Sequence, residues 1–296
     1  MARYATARYS VKEAREATWA KRMALFFVQL LILTVLLHRF ASLATPVAIN
    51  LIGVSVAGLL LAILIAIASL VRIWIGGQTG AGQAFAAIFI ACLGLAAPAY
   101  FAAHAITRPQ LTDVQTSPDQ PLAFNVLPAM RPADANPIRN PDAAAIAIQE
   151  EGYPDIAPMA LERSATEVFS LVHEAVERLG WNIASSEAPG ETEPGRIEAT
   201  DRTLIMGFTD DVVVQVKGDD SYAVIDARSV SRYGWHDLGT NAKRIETLFE
   251  EIATALEKGE KTALEQAAPK DESSEKKDAA KKPVKKSAGK KRRATR

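Results

Sequence analysis

The sequence predicts a membrane-anchored α+β protein. Three transmembrane helices precede a small soluble domain, in which an antiparallel sheet carries two helices on one face in the order β-α-β-β-β-β-α. Three observations lead to this class. Apolar runs at about 23–40, 47–75 and 84–106 reach or approach the ~18–20 residues that a bilayer requires. Between residues 181 and 232, short runs alternate apolar and polar residues, as strands with one covered face do. Two flanking segments repeat apolar residues at spacings of three and four, as amphipathic helices do.

The even charge balance, 34 Lys+Arg against 34 Asp+Glu, is a cancellation between segments of different character. The single cysteine, Cys92, lies in an apolar run, so an intramolecular disulfide and a thiolate zinc site are both excluded.

Residues 1–22 carry Arg3, Arg8, Lys12, Arg15, Lys21 and Arg22 against Glu13 and Glu16. This basic flank runs straight into the first span, and the positive-inside rule makes it the cytoplasmic N-terminus. Three crossings then place everything after Ile106 on the far side, with Arg72 cytoplasmic and Arg39 the one basic residue on the disfavoured side. A cleaved signal peptide ending near Ser42-Leu43-Ala44 is the competing reading of the first span; it leaves the side of the domain unchanged. No Asp, Glu or Lys lies within the middle of a span. The spans therefore read as an anchor for the domain, without the ion relay of a transporter. Gly53, Ala57, Gly58 and Ala62 offer small residues for close helix packing. The glycine-rich stretch Gly76–Gln83 lacks the Gly-Lys-Ser/Thr of a phosphate loop and reads as a turn.

Residues 107–152 form a proline-rich tether, since proline at 109, 118, 121, 128, 132, 137 and 141 works against regular structure. It either holds the following domain off the membrane or wraps that domain's surface. The soluble domain spans 153–257. Ser164-Ala165-Thr166-Glu167 is a capping box that opens a helix, and Gly180 stops it. Four strands follow, over 181–185, 196–203, 211–217 and 222–232, with Gly218-Asp219-Asp220-Ser221 as a hairpin connection. Ile245, Leu248, Phe249, Ile252 and Leu256 mark the closing helix. The sheet face carrying Glu198, Thr200, Arg202, Asp211, Gln215, Lys217, Asp226 and Arg228 reads as solvated. Residues 258–296 form a disordered lysine-rich tail with too few apolar residues to fold. Its last sixteen residues, Lys281–Arg296, hold nine Lys or Arg and no acid. On the far side of a membrane this run is expected to meet anionic lipid or an envelope polyanion in preference to nucleic acid.

Several motifs recur together in a known pattern: Asp113–Phe124, Tyr153-Pro154-Asp155-Ile156, Gly195–Thr200, Gly207–Val214, Arg228–Arg232 and Asp237–Ile245. Across roughly residues 110–256 they resemble the family catalogued as domain of unknown function 1499. The resemblance implies a bacterial envelope protein and no established activity. Combined with the orientation set by the positive-inside rule, this gives an expected location in the inner, cytoplasmic membrane, with domain and tail periplasmic.

The polar chemistry concentrates at the strand-to-helix corner 227–245. Arg228, Ser229, Ser231, Arg232, Asp237, Asn241 and Arg244 form a cluster that either binds an anionic ligand or locks the corner by hydrogen bonds. Asp210 and Asp211 add an acidic pair. A hydrolase reading would use Ser229 or Ser231 as nucleophile, His236 as base and Asp237 as its orienting acid. Neighbours 236 and 237 diverge, however, and the two serines share the face expected beneath the helices. A divalent-metal enzyme built on Asp210, Asp211 and Asp237 is the other enzymatic alternative. The preferred reading is non-enzymatic: an integral membrane protein without a cofactor, whose domain binds an anionic ligand, a lipid headgroup or an envelope protein, or serves a structural role.

Overall fold

A computed structural model describes residues 12–267, with side chains to residue 258. Residues 1–11 of the basic N-terminus and the run Lys281–Arg296 lie outside the described residues.

Helices α1 (Arg15–Phe40), α2 (Thr45–Gly76) and α3 (Ala81–Thr107) are each long and apolar enough to cross a membrane. They pack through small residues. On α2 the packed stripe is Ser55, Gly58, Leu59, Ala62, Ala66 and Ser69, which recurs every three or four residues and so stays on one side of the helix. A methyl group added at Gly58 would lie 2.3 Å from the Phe27 ring of α1. Gly58 and Ala62 thus serve as expected, whereas Gly53 and Ala57 face outward. At one end of the bundle Arg72 donates to Glu16 at 2.6 Å. Gly77 and Gly80 have positive φ there, a geometry that glycine adopts without a Cβ penalty, and the glycine-rich stretch accordingly forms the α2–α3 turn.

At the other end of the bundle the chain enters the sheet almost at once. Strand β1 (Asp113–Gln115) follows α3 after five residues, and α4 (Leu127–Met130) and α5 (Ala143–Gly152) come next. Then follow β2 (Met159–Leu161), α6 (Ala165–Arg178), β3 (Asn182–Glu187), β4 (Gly195–Arg202), β5 (Thr209–Gly218), β6 (Ala223–Ser231) and α7 (Thr240–Ala267). The sheet order is β1-β6-β5-β4-β3, entirely antiparallel, with β2 pairing β6 beyond the end of β1. The α+β order expected from residue 153 onward is present, with β1 as an added edge strand. The closing helix continues past 257 to Ala267.

Period-two alternation sorts the sheet residues. Ile197, Ala199, Val212, Val214, Val216, Ile225 and Ala227 share the face that α6 and the first turns of α7 cover with Val168, Val172, Val176, Ile245, Leu248 and Ile252; all are buried. Ser164 caps α6 by accepting from the Glu167 backbone N–H at 3.2 Å. The Glu167 carboxylate takes Arg163 as its partner at the rim.

The opposite face corrects an expectation. It is solvated only toward its ends, where Arg202 and Lys217 are exposed; elsewhere residues 116–139 of the proline-rich stretch lie across it. Leu122, Phe124 and Leu127 pack on Val213 and Val230, with Ile138 beside them. Val213 and Val230 supply an apolar seat within that otherwise polar face. The prolines still have their effect, since between β1 and α5 the backbone forms only the four-residue α4. The cover is instead held by side chains reaching backbone groups. Glu198, 1% exposed, accepts the N–H groups of Asn125, Val126 and Leu127. Asp226 accepts the hydroxyls of Thr116 and Ser117 at 2.9 and 2.6 Å. At the sheet's edge the Gln149 side chain of α5 donates to the Gln115 carbonyl at 2.7 Å and accepts its N–H at 3.1 Å. One amide side chain thereby pairs the edge strand as a further strand would.

Candidate functional site

The corner between β6 and α7 is built on turn geometry. Gly234, Leu238 and Gly239 have φ of 88°, 58° and 80°, which reverses the chain within a few residues. Asp237 accepts the N–H groups of Gly239 and Asn241 at 2.9 and 3.0 Å, satisfying donors that a helix start leaves open. Burial raises the Asp237 pKa, and these two N–H groups oppose that rise.

The sheet divides the expected cluster between its two faces. On the helix face, the Ser229 hydroxyl donates to Asn241 Oδ1 at 2.7 Å and accepts from Arg244 Nη1 at 3.0 Å. Asn241 Nδ2 donates to Ser231 Oγ and to the Thr112 carbonyl. Arg244 also donates to Asp201 and Asp210, both at 2.8 Å. Burial pushes the Asp210 carboxyl up to about 6 against the opposing pull of Arg244.

On the opposite face, Arg228 is 1% exposed and holds Asp113 through two bonds of 3.0 and 2.6 Å. Its remaining donors take the carbonyls of Leu122 and Arg139 at 2.5 and 2.7 Å. Asp211, fully buried, lies between Arg232 and Arg131. Burial drives the Arg131 pKa down, and the Asp211 charge opposes this. Asp210 and Asp211 therefore never act as a pair. As neighbours on one strand they point to opposite faces, and each is neutralised by arginine on its own side.

These partners account for the chemistry of the corner. Its arginines are engaged with carboxylates and carbonyls of the same chain, so they hold the fold together. The hydrolase constellation is not assembled. Both serines bond Asn241, while His236 accepts the Leu238 N–H at Nδ1 and donates from Nε2 to the Ala105 carbonyl at 3.0 Å. Among the described residues no group of three His, Cys, Asp or Glu side chains is placed to hold a metal.

A different site opens where the domain meets the helix ends. His38 of α1, 5% exposed, donates from Nδ1 to the Met206 carbonyl at 2.6 Å, and its Nε2 lies 3.0 Å from the Thr45 hydroxyl. Its ring also packs on Phe208 at 5.2 Å. The β4–β5 connection is thus docked on the end of α1, and the turn before α7 is docked on α3 through His236. Between them lies a cavity of about 1400 Å³. Its membrane side is apolar, with Val35, Ile49, Leu93 and Phe101, and its polar side carries Arg39, Arg108, Arg202, Lys243 and Tyr153 together with the acids Asp201, Asp210, Asp237 and Glu246. The buried Tyr153 hydroxyl has no hydrogen-bond partner. Motif reading missed this site because its parts lie more than a hundred residues apart. One signal was present: Arg39, the basic residue on the disfavoured side of the membrane.

Residues 113–252 match the model of a family described as protein of unknown function (DUF1499). No curated protein matches the sequence.

Proposed function

From the premise that residues 113–252 are a member of the DUF1499 family, we propose that this protein is a non-enzymatic, membrane-anchored envelope protein that binds an anionic amphiphile. It resides in a bacterial inner membrane, with the N-terminus cytoplasmic and the domain and basic tail periplasmic. The ligand occupies the cavity at the junction of the helices and the domain. The observation that carries this reading is the two-sided lining of that cavity, apolar from α1, α2 and α3 and polar on the other side. There the acids are engaged with Arg244, Lys243 and the start of α7, while Arg39, Arg108 and Arg202 have no carboxylate partner among the described residues. An acyl chain gains by leaving water for the first surface, and an anionic headgroup gains from arginine forks at the second. Burying a ligand in a concave, mostly apolar site with a few convergent polar groups is the usual arrangement for small-molecule recognition. The tail, as a polycation beside the same membrane surface, would add weak attraction for anionic lipid.

The full chain, solubilised in mild detergent and analysed by native mass spectrometry, should retain lipid adducts enriched in anionic species over the bulk membrane. Adducts matching bulk composition, or none, would refute the reading. Orientation is checked separately by a phosphatase fused after Phe124, which should be active; an inactive phosphatase together with a bright cytoplasmic reporter at the same point would reverse it.

A further inference from the structure

Within the cavity, two arginines from different parts of the chain meet at Gly207. Arg39 closes α1, and Arg202 ends β4. A methyl group placed on Gly207 would stand 3.0 Å from Arg39 Nη1 and 3.1 Å from Arg202 Nη2. The two guanidinium ends therefore lie no more than about 6 Å apart. Gly207 is in the left-handed region at φ 74°, and its lack of a side chain leaves the space that both arginines enter.

Neither guanidinium is neutralised. Arg39 donates to the Thr203 carbonyl at 3.5 Å and Arg202 to the Gly207 carbonyl at 3.2 Å; neither forms an ion pair with a carboxylate among the described residues. The acids that line the same cavity are occupied elsewhere. Asp201 and Asp210 are held by Arg244, Asp237 caps α7, and Glu246 pairs with Lys243. Two like charges at this separation repel one another, and an anion between them relieves that repulsion while gaining two charge-assisted bonds. A carboxylate or a phosphate would satisfy the charge, but a tetrahedral phosphate presents oxygens in directions that suit two forks approaching from separate elements. The pair sits at the end of α1, and the apolar lining of the cavity begins one turn back along the same helix with Val35 and Leu36.

We infer that Arg39 and Arg202 form a phosphate clamp, seated at Gly207, for the headgroup of a phospholipid whose acyl chain lies in the apolar half of the cavity. This rests on the amphiphile-binding reading above and specifies its polar end. The membrane helix supplies one half of the clamp and the domain the other, so the bound phosphate bridges the two.

The full chain in detergent, stripped of lipid, is titrated by native mass spectrometry with dioleoyl phosphatidylglycerol, with dioleoylglycerol of the same chains, and with inorganic phosphate. The wild type should bind the phospholipid at least about 100-fold more tightly than the uncharged lipid, as two charged hydrogen bonds predict. Arg39→Gln/Arg202→Gln should abolish that preference and keep both its dioleoylglycerol binding and its near-ultraviolet circular dichroism. Equal phospholipid binding by wild type and variant overturns the clamp and leaves the amphiphile reading standing, whereas a wild type that takes up neither lipid overturns both. Inorganic phosphate binding as tightly as the phospholipid overturns the assignment to a lipid headgroup. If the double variant loses its native spectrum, the exposed Arg202→Gln change alone decides: loss of the preference supports the clamp, and full preference overturns it.

Discussion

Replacing Arg228 by methionine tests whether the buried arginines of the corner hold the fold. Methionine approximates the aliphatic stem but removes every donor. The substitution strands the Asp113 carboxylate and the carbonyls of Leu122 and Arg139. Removing one member of a buried pair costs about 3–5 kcal/mol, because the other charge is left uncompensated. The Asp113 side chain keeps 20% of its exposure, so water recovers part of that cost and the lower figure applies. For a domain of this size ~3 kcal/mol corresponds to a fall of roughly 10 °C in Tm. Thermal unfolding of the full chain in detergent, followed by near-ultraviolet circular dichroism, measures it. The pH dependence gives a second check. Burial already raises the Asp113 carboxyl, and Arg228 is the leading influence that restrains the rise; without Arg228 it rises further. A carboxyl raised in the native state contributes stability at low pH and loses it as pH climbs through the raised value. The gap between wild type and variant should therefore be wider at about pH 8 than at about pH 5. A loss under ~1 kcal/mol, or a gap independent of pH, would refute the structural assignment of Arg228.

Two further outcomes follow from the same partners. Glu198→Gln leaves a single acceptor oxygen for the three N–H groups of Asn125, Val126 and Leu127; it should cost about 1–3 kcal/mol and speed proteolytic cleavage within 122–139, and an unchanged cleavage rate would count against the cover being held there. Asp210, raised to about 6, binds its proton more tightly folded than unfolded, so its contribution is full below about pH 4 and lost by about pH 7, by roughly 3 kcal/mol; Asp210→Asn should flatten the stability profile across that window, and identical profiles would refute it.

How much of this was legible in the sequence depended on whether a feature repeats. The valines at 212, 214 and 216 alternate, and the helix residues 245, 248 and 252 recur every three or four positions, so strands, helices and covered face could be read directly. The same alternation separates Asp210 from Asp211, and reading them as a pair overlooked it. The cover formed by 116–139 has no period. It is held by single side chains, Glu198, Asp226 and Arg228, each reaching a different stretch of the proline-rich chain, and such bonds leave no local pattern. The corner cluster was legible as a concentration of polar residues, yet its pairing was not, because the partners Asp113, Arg131 and Asp201 lie far away in sequence. The junction cavity depends on tertiary docking through His38 and His236, and only the misplaced charge of Arg39 pointed to it.

With β1 opening at Asp113, only Arg108–Thr112 separate α3 from the sheet, and the Leu111 and Thr112 carbonyls are already bonded to Asp237, Ser231 and Asn241 of the corner. Five residues fully extended span at most about 18 Å. That spacer sets the working radius of the domain. If the helices span a membrane as their length and composition allow, anything the domain meets must lie within the first few nanometres of the lipid surface. Under the proposed reading, recognition is then a search over two dimensions, among molecules that share the bilayer with the helices.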